Sequence, residues 1–405
     1  MDERTWSKAS YAPSNPILIL SGNYGDGHRQ AAQAILEAVK DELPGAEPML
    51  VDYMELTHPF IHPLGRYLFL ESMKKMPRAY GYVYGKTRSA QSFSGPLKWF
   101  QRRGSGRLAK LLQTVRPSIV ISTFPLAAGA MSALKAGGQT DAHTATVVTD
   151  HTDHSYWVYP HTDTYIVGSR YVKRRLQTSY DIPARTVCDT GIPIRKAFGG
   201  QYDREQLRRR HGLDPALPAL LFMGGGGGLL GGSSHLKALE ELPFPVQYWV
   251  VCGRNDALKR QLAQELRHSK HRVHIEGFVE HIHELMGAAD MMITKPGGLT
   301  ISEGLAMELP MLLYKPLPGQ EEDNARFLLG FGAADAAGHP AELAAKISDY
   351  LQHPEKLRRL RANAAKLQRK AAAREAVRVI MQARLSSDGL RSPAASGFKI
   401  APGEA

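Results

Sequence analysis

The sequence predicts an α/β protein built as two doubly wound domains, and three observations carry that prediction. Short apolar runs bounded by glycine or proline alternate with segments of helical periodicity along most of the chain, the pattern of right-handed βαβ units around a parallel sheet. The alternation pauses at Gly191–Arg195 (GIPIR) and then restarts. The chain has 405 residues, room for two or three domains at roughly 150 residues each.

The elements follow in order. Ile17–Ser21 (ILILS), between Pro16 and Gly22, is a short buried strand. Gly22–Gly27 is a loop, and His28 opens a helix. Its Ala31, Ala32, Ile35, Leu36 and Val39 recur at helical spacing, and it ends near Pro44. Met49–Val51 is the next strand. After a basic-aromatic stretch come helix 107–115, strand Ser118–Ser122, helix 126–136 and strands Ala145–Thr149 and Thr164–Val167. The second series begins with helix 203–211 and strand Leu220–Met223, which runs into Gly224–Gly228. Strand Val246–Cys252, helix 256–267, strand Arg272–Ile275, helix 282–288 and strand Met291–Thr294 follow. A loop at Lys295–Gly298 leads to helix 299–307, strand Met311–Tyr314 and helix 322–329, then helical stretches at 341–352 and 355–385. The expected division is therefore a first domain at 1–197, a second at 198–385 and a disordered, aperiodic tail at 386–405.

Composition narrows the class. Apolar residues make up 43% and charged residues 22%, which excludes disorder of the whole chain. Cys188 and Cys252 are the only two cysteines, too few for a disulfide framework or a thiolate zinc site. No apolar run approaches the ~18 residues of a bilayer-spanning helix. The polar start MDERTWSKASYAPSNP lacks a signal-peptide core, so the expected location is a reducing cytoplasm, with contact to a membrane from that side.

The net charge is +12, and Thr57–Arg116 carries nearly all of it: twelve Lys and Arg against the single acid Glu71. The same stretch holds Tyr67, Phe69, Tyr82 and Trp99, with Arg102 and Arg103 beside the last. Such a mixture suits an anionic membrane surface or single-stranded nucleic acid. It also suits a solvated basic face over ordinary core aromatics.

Three loops stand at the carboxyl ends of expected strands, where open α/β sheets bind ligands. In Gly22-Asn23-Tyr24-Gly25-Asp26-Gly27-His28, the glycines, Gly27 among them, allow close approach of a substrate to the backbone. The helix dipole disfavours an imidazolium at His28, which suits a proton acceptor. Gly224–Gly232 (GGGGGLLGG) could present backbone N–H groups, those of Gly225 and Gly226 included, to phosphate. It is not a P-loop, because no Lys-Ser or Lys-Thr pair closes it. In Lys295–Glu303 (KPGGLTISE), free N–H groups and hydroxyls at a helix start suit a diphosphate, and Glu303 suits a ribose diol. Further on, Gln320 and Asn324 stand at i and i+4 and can face one cleft. Lys295–Glu303 and the Gln320/Asn324 pair also read as plain helix capping, the glycine run as a linker and His28 as a surface residue. Thr149–Trp157 (TDHTDHSYW) has closely spaced His and Asp but neither cysteine nor HExxH, so polar acceptor recognition is favoured over a metal.

Together these stretches resemble the diacylglycerol glycosyltransferases, bacterial processive β-glucosyltransferases and plant monogalactosyldiacylglycerol synthases. The motifs that carry the likeness are NYGDGH at 23–28, STFP at 122–125, TDHTDHSYWV at 149–158, TGIPI at 190–194, VVCGRN at 250–255 and ITKPGGLTISEGLAMELPMLLYKPLPGQEEDNA at 293–325. A more distant likeness is to the glucosaminyltransferase that makes the lipid-linked peptidoglycan precursor. The resemblance implies a GT-B fold, two Rossmann-like domains facing a cleft. It implies UDP-glucose or UDP-galactose as donor and diacylglycerol as acceptor, with no obligatory metal or cofactor. Docking on anionic lipids at the cytoplasmic face of the membrane is expected, and nucleic acid is not. By position, Phe278 and Val279 would meet uracil, Glu303 the ribose, Gly298 and Thr300 the diphosphate, and Gln320 and Glu321 the sugar. His28 would be the base, with Asp150, His154 and Trp157 near the acceptor. The chain departs at 224–228, where relatives carry a mixed loop with a histidine. A polyprenyl-diphosphate acceptor, or a non-enzymatic UDP-sugar- or nucleic-acid-binding role, are the alternative readings.

Overall fold

A computed structural model describes residues 16–60, 75–88, 96–224 and 234–391. The first lobe is a six-stranded parallel sheet of order β2-β1-β3-β4-β5-β6. Its strands are β1 (Ile17–Ser21), β2 (Pro48–Asp52), β3 (Ile119–Ser122), β4 (His143–Val147), β5 (Thr164–Ile166) and β6 (Val187–Cys188). Apolar runs such as ILILS are buried on both faces, since helices cover the sheet from either side. These are α1 (Asp26–Glu42), α2 (Tyr53–Thr57), α3 (Pro77–Lys86), α4 (Pro96–Val115), α5 (Pro125–Ala136) and α6 (Arg170–Tyr180). The alanine spacing read in the sequence is the buried face of α1: Ala31, Ala32, Ile35 and Val39 are fully buried.

The second lobe repeats the plan, with strand order β12-β11-β10-β7-β8-β9. Its strands are β7 (Ala219–Met223), β8 (Gln247–Val251), β9 (Arg272–Glu276), β10 (Met291–Thr294), β11 (Met311–Tyr314) and β12 (Ala334–Ala337). Its helices are α7 (Arg204–Arg210), α8 (Ser234–Lys237), α9 (Asp256–Glu265), α10 (Ile282–Ala288), α11 (Gly298–Ala306), α12 (Gln320–Gly330), α13 (Pro340–Gln352) and α14 (Pro354–Leu367).

Two findings correct the expected division. The stretch read as one helical run from 355 to 385 breaks after Leu367, and α15 (Ala372–Arg391) crosses back to the first lobe. Its Ala373, Ala376, Val377, Ile380 and Met381 join the core formed by Ile17, Ile19, Ile35, Val39 and Ile121. Arg374 and Arg378 clamp the buried carboxylate of Glu42 on α1 at 3.2 and 2.7 Å. The crossing is tight. Gly191 holds φ 101°, and a Cβ there would fall 2.5 Å from that of Arg369. The helix also continues to Arg391, past the start of the expected tail.

Helix caps sort by position. α2, α6, α7 and α9 begin with Asp52, Ser169, Asp203 and Asn255, whose side chains accept from their own first turns. α1, α11 and α12 begin with Gly25, Gly297 and Gly319, which offer no capping side chain. The N-terminal N–H groups of these three helices must find partners beyond the helix, and that of Gly298 meets Asp150 of the opposite lobe.

Candidate active site

The uncapped helices from the two lobes meet. α1 packs against α11, and Gly27 faces Leu299 at ordinary contact distance. Gly298 lies so close to the opposite lobe that a Cβ would fall 2.1 Å from the Thr149 carbonyl and 2.7 Å from Asp150 Oδ1. The carboxyl ends of the two sheets therefore face one another across a closed cleft.

His28, in the first turn of α1, is held from several sides. Its Nδ1 lies 3.0 Å from Thr149 Oγ1, and its carbonyl accepts from Thr123 Oγ1 at 3.0 Å. Phe124 meets the ring edge-on at a centroid distance of 5.4 Å, and Trp157 lies at 5.9 Å. Burial among these groups pushes the imidazole down to about 4, although a hydrogen bond between the ring and the Thr123 backbone works the other way. When Thr149 accepts from Nδ1–H, the Nε2 lone pair is the basic one.

The loop after β4 joins the lobes. Asp150 Oδ1 accepts from Asn324 Nδ2 at 2.9 Å, and Asn324 Oδ1 accepts from the His151 backbone N–H at 2.7 Å. Burial, then the charges of Glu321 and Asp323, push Asp150 up to about 7 against the Asn324 hydrogen bond. His151 stacks on Phe327 of α12 at 4.0 Å and 6°. Asn324 is thus a hinge pin between lobes, with its carboxamide saturated by protein.

On the donor side, Glu303 is buried, and that burial raises its carboxyl to about 8 despite nearby Arg195. A protonated Glu303 can donate as well as accept, which suits a diol. Thr300 sits in the first turn of α11. Phe278 is 47% exposed under the guanidinium of Arg254, 5.0 Å from the ring centroid. Val279 packs against the second-lobe core. Arg254 also reaches Asp26 of α1 at 2.9 Å. Gln320 accepts from Tyr80 at 2.7 Å, and Glu321 accepts from the Leu317 N–H at 2.7 Å. Lys295 is held below its ordinary value by burial.

His28, Asp150, Gly27, Gly298, Glu303, Asn324 and Trp157 therefore stand on the elements that meet at the cleft. Other expected residues sit elsewhere. His154 is spent inside the first lobe: its Nε2 is 2.9 Å from the Tyr84 carbonyl, and its ring packs on Tyr84 and Tyr156. Tyr82 points outward from α3, 67% exposed. Tyr67, Phe69, Gly225 and Gly226 lie outside the described residues, and of Trp99, Arg102 and Arg103 only the backbone, in α4, is described. Thr149, Phe124, Arg195 and Asp323 went unselected in the sequence. Thr149 and Phe124 do fall within the family-like motifs, but their contacts come from distant elements. Among the described residues no cluster of three His, Cys, Asp or Glu could hold a metal ion.

Known proteins resemble the chain along most of its length. Residues 28–194 match the family described as monogalactosyldiacylglycerol (MGDG) synthase, and residues 203–367 match glycosyl transferases group 1. The chain is 34% identical over 388 residues to a processive diacylglycerol beta-glucosyltransferase of Bacillus cytotoxicus, covering 94% of this chain and 98% of that protein. It is 35% identical to the enzyme of that name from Bacillus pumilus, covering 86% and 89%. Among solved structures, Acinetobacter baumannii MurG superposes with a TM-score of 0.60 at 15% identity over 91% of this chain and 100% of that one. The UDP-GlcNAc 2-epimerase of Neisseria meningitidis gives 0.59 at 15% identity, over 91% and 100%. These structural likenesses establish the GT-B fold.

Proposed function

The chain belongs to the family of diacylglycerol glycosyltransferases, and from that premise we propose that it moves a hexose from a UDP-sugar to diacylglycerol or a glycosyl-diacylglycerol, with inversion. The observation that carries the mechanism is the setting of His28. A neutral imidazole, braced by Thr149 and walled by Phe124 and Trp157, stands beside the uncapped start of α11 from the other lobe.

The acceptor hydroxyl gives its proton to His28 Nε2 as its oxygen bonds to the anomeric carbon. The bond from that carbon to the diphosphate oxygen breaks on the opposite face, so the product is a β-glycoside. The electron pair leaves with UDP. The Thr300 N–H, the Gly298 N–H once it is released from Asp150, and the dipole of α11 take up the growing charge. Glu303 holds the ribose, Phe278 and Val279 border the base, and Gln320 and Glu321 read the hexose. The first lobe then serves the acceptor and the second the donor. UDP-glucose and UDP-galactose both remain in the proposal as donors, because the two differ only in the orientation of one hydroxyl.

No helix among the described residues is long and apolar enough to cross a membrane. Peripheral docking is proposed through the basic-aromatic stretch, at the cytoplasmic face. Exposed Met76, Tyr82 and Val83 on and before α3, beside Arg78 and Lys86, support it.

The test supplies the purified chain with UDP-glucose or UDP-galactose and vesicles containing diacylglycerol and anionic lipid, and separates the lipids by thin-layer chromatography. A β-linked glycosyl-diacylglycerol is expected with one donor. Transfer only to a polyprenyl-diphosphate acceptor, or to no lipid, overturns the proposal.

A further inference from the structure

Helix α3 has two faces. Tyr80 and Tyr84, at i and i+4, and Arg88, just past the helix end, turn toward the second lobe, whereas Tyr82 and Val83 are 67% and 52% exposed. The inward face seats on the turn that starts α12. A Cβ on Gly81 would fall 2.4 Å from that of Pro318, and one on Gly319, itself at φ 104°, would come within 3.1 Å of Tyr80 and Tyr84. So close an approach is open only to glycine on both sides.

Beside this seat, the buried carboxylate of Asp323 on α12 gathers donors from the first lobe. Tyr84 Oη donates to it at 3.2 Å, Thr152 Oγ1 at 2.8 Å and Arg88 Nη2 at 2.5 Å. Arg88 also pairs with Asp153 at 2.8 Å, so the clasp is anchored in the first lobe. One turn ahead of Asp323, Tyr80 Oη donates to Gln320 Oε1 at 2.7 Å. That bond sets the orientation of the carboxamide and turns its donor end, Nε2, away from the tyrosine.

We propose that the first lobe completes the hexose subsite of the second: Tyr80 is a positioning residue that fixes Gln320, and the α3 clasp on Asp323 holds both in place. The inference rests on the reading of Gln320 as a sugar contact. It has a sharp consequence. UDP alone, which lacks the hexose, binds without any call on Tyr80, whereas the intact UDP-sugar depends on it.

Tyr80→Phe removes one hydroxyl and little else. Loss of one neutral hydrogen bond predicts a fall in kcat/KM for the UDP-sugar of roughly 3–10-fold, carried mainly by KM, with the calorimetric Kd for UDP and the unfolding temperature unchanged. Gln320→Ala lowers kcat/KM as well, and adding Tyr80→Phe to it costs nothing further, because the two side chains act as one unit. Wild-type kinetics in Tyr80→Phe, equal weakening of UDP and UDP-sugar, or additive losses in the double variant would overturn the inference. Failure of the unmodified chain to transfer any hexose would instead sink the functional reading on which it rests.

Discussion

His28 shows how much chemistry one position can hold. Its place in the first turn of α1 already disfavours the imidazolium, and the walls formed by Phe124 and Trp157 remove the water that would solvate it. The outcome is a ring held near 4, neutral over the whole range in which a cell operates. His28→Ala should therefore lower turnover by about 10²–10⁴-fold, the usual worth of a general base, while calorimetry finds UDP affinity unchanged. The sign of the pH effect follows from the same burial. The active form is the unprotonated one, so the acid limb of kcat/KM that belongs to His28 should lie near pH 4. Asp150, raised to about 7 next door, titrates separately, and comparing Asp150→Asn with the unmodified enzyme separates the two limbs. A limb near pH 6.5 that survives in Asp150→Asn would mean that His28 is solvated and the proposed cage is absent. Folding responds in the same direction. The unfolded ring takes its proton near 6.5 and the folded ring resists until about 4, so this histidine's share of stability is lost as the pH falls through that window.

At the scale of elements, the working helices share a glycine at the N-cap, which offers no side chain. α11 starts from Gly297-Gly298, where a side chain would serve the helix but block the cleft. Gly298→Ala separates these two demands. Alanine is the better helix former by about 1 kcal/mol, so the second lobe should not lose thermal stability. Its Cβ would nevertheless strike the Thr149 carbonyl and hold the lobes apart. A displacement of that kind can lower turnover by about 10²-fold. Stability kept and transfer lost is the expected pair of results, and full activity would show that the lobes need not close this far. The strands and helices themselves were largely legible. Apolar runs bounded by glycine or proline marked β1, β10 and β11, and periodicity marked α1 and α10, since local pattern dictates such elements. Six others escaped: α2, α3, α6, α8, β6 and β12. β6 has only two residues, β12 (ADAA) carries no β-branched or aromatic side chain, and α6 buries only Val172 and Leu176 along a strongly basic face.

For the whole molecule, local pattern ceases to inform, because the decisive contacts join residues hundreds of positions apart. The residues lining the site were readable where a motif carried them, as with His28, Gly298 and Glu303. Their partners were not: nothing near Asp323 announces Arg88, and nothing near Asn324 announces Asp150. The same holds for α15, whose alanines and valine read as an ordinary amphipathic helix of the second domain yet complete the core of the first. This return gives the two lobes a second tether beside the linker at Gly191, against which Arg369 packs. Ala376 tests that role, being fully buried in the first-lobe core and far in sequence from every site residue. Ala376→Asp would bury an unpaired carboxylate and should cost on the order of 3–5 kcal/mol, read as a lowered unfolding temperature. If α15 is a second tether, Ala376→Ser, which keeps the packing nearly intact, leaves transfer close to normal, and Ala376→Asp loosens the first lobe before the second. Limited proteolysis would then cut first around α1 and α15 and spare β7–β12. Uniform digestion of both lobes, or an unaltered unfolding temperature, would show that the helix is an appendage and that the linker alone sets how the lobes meet.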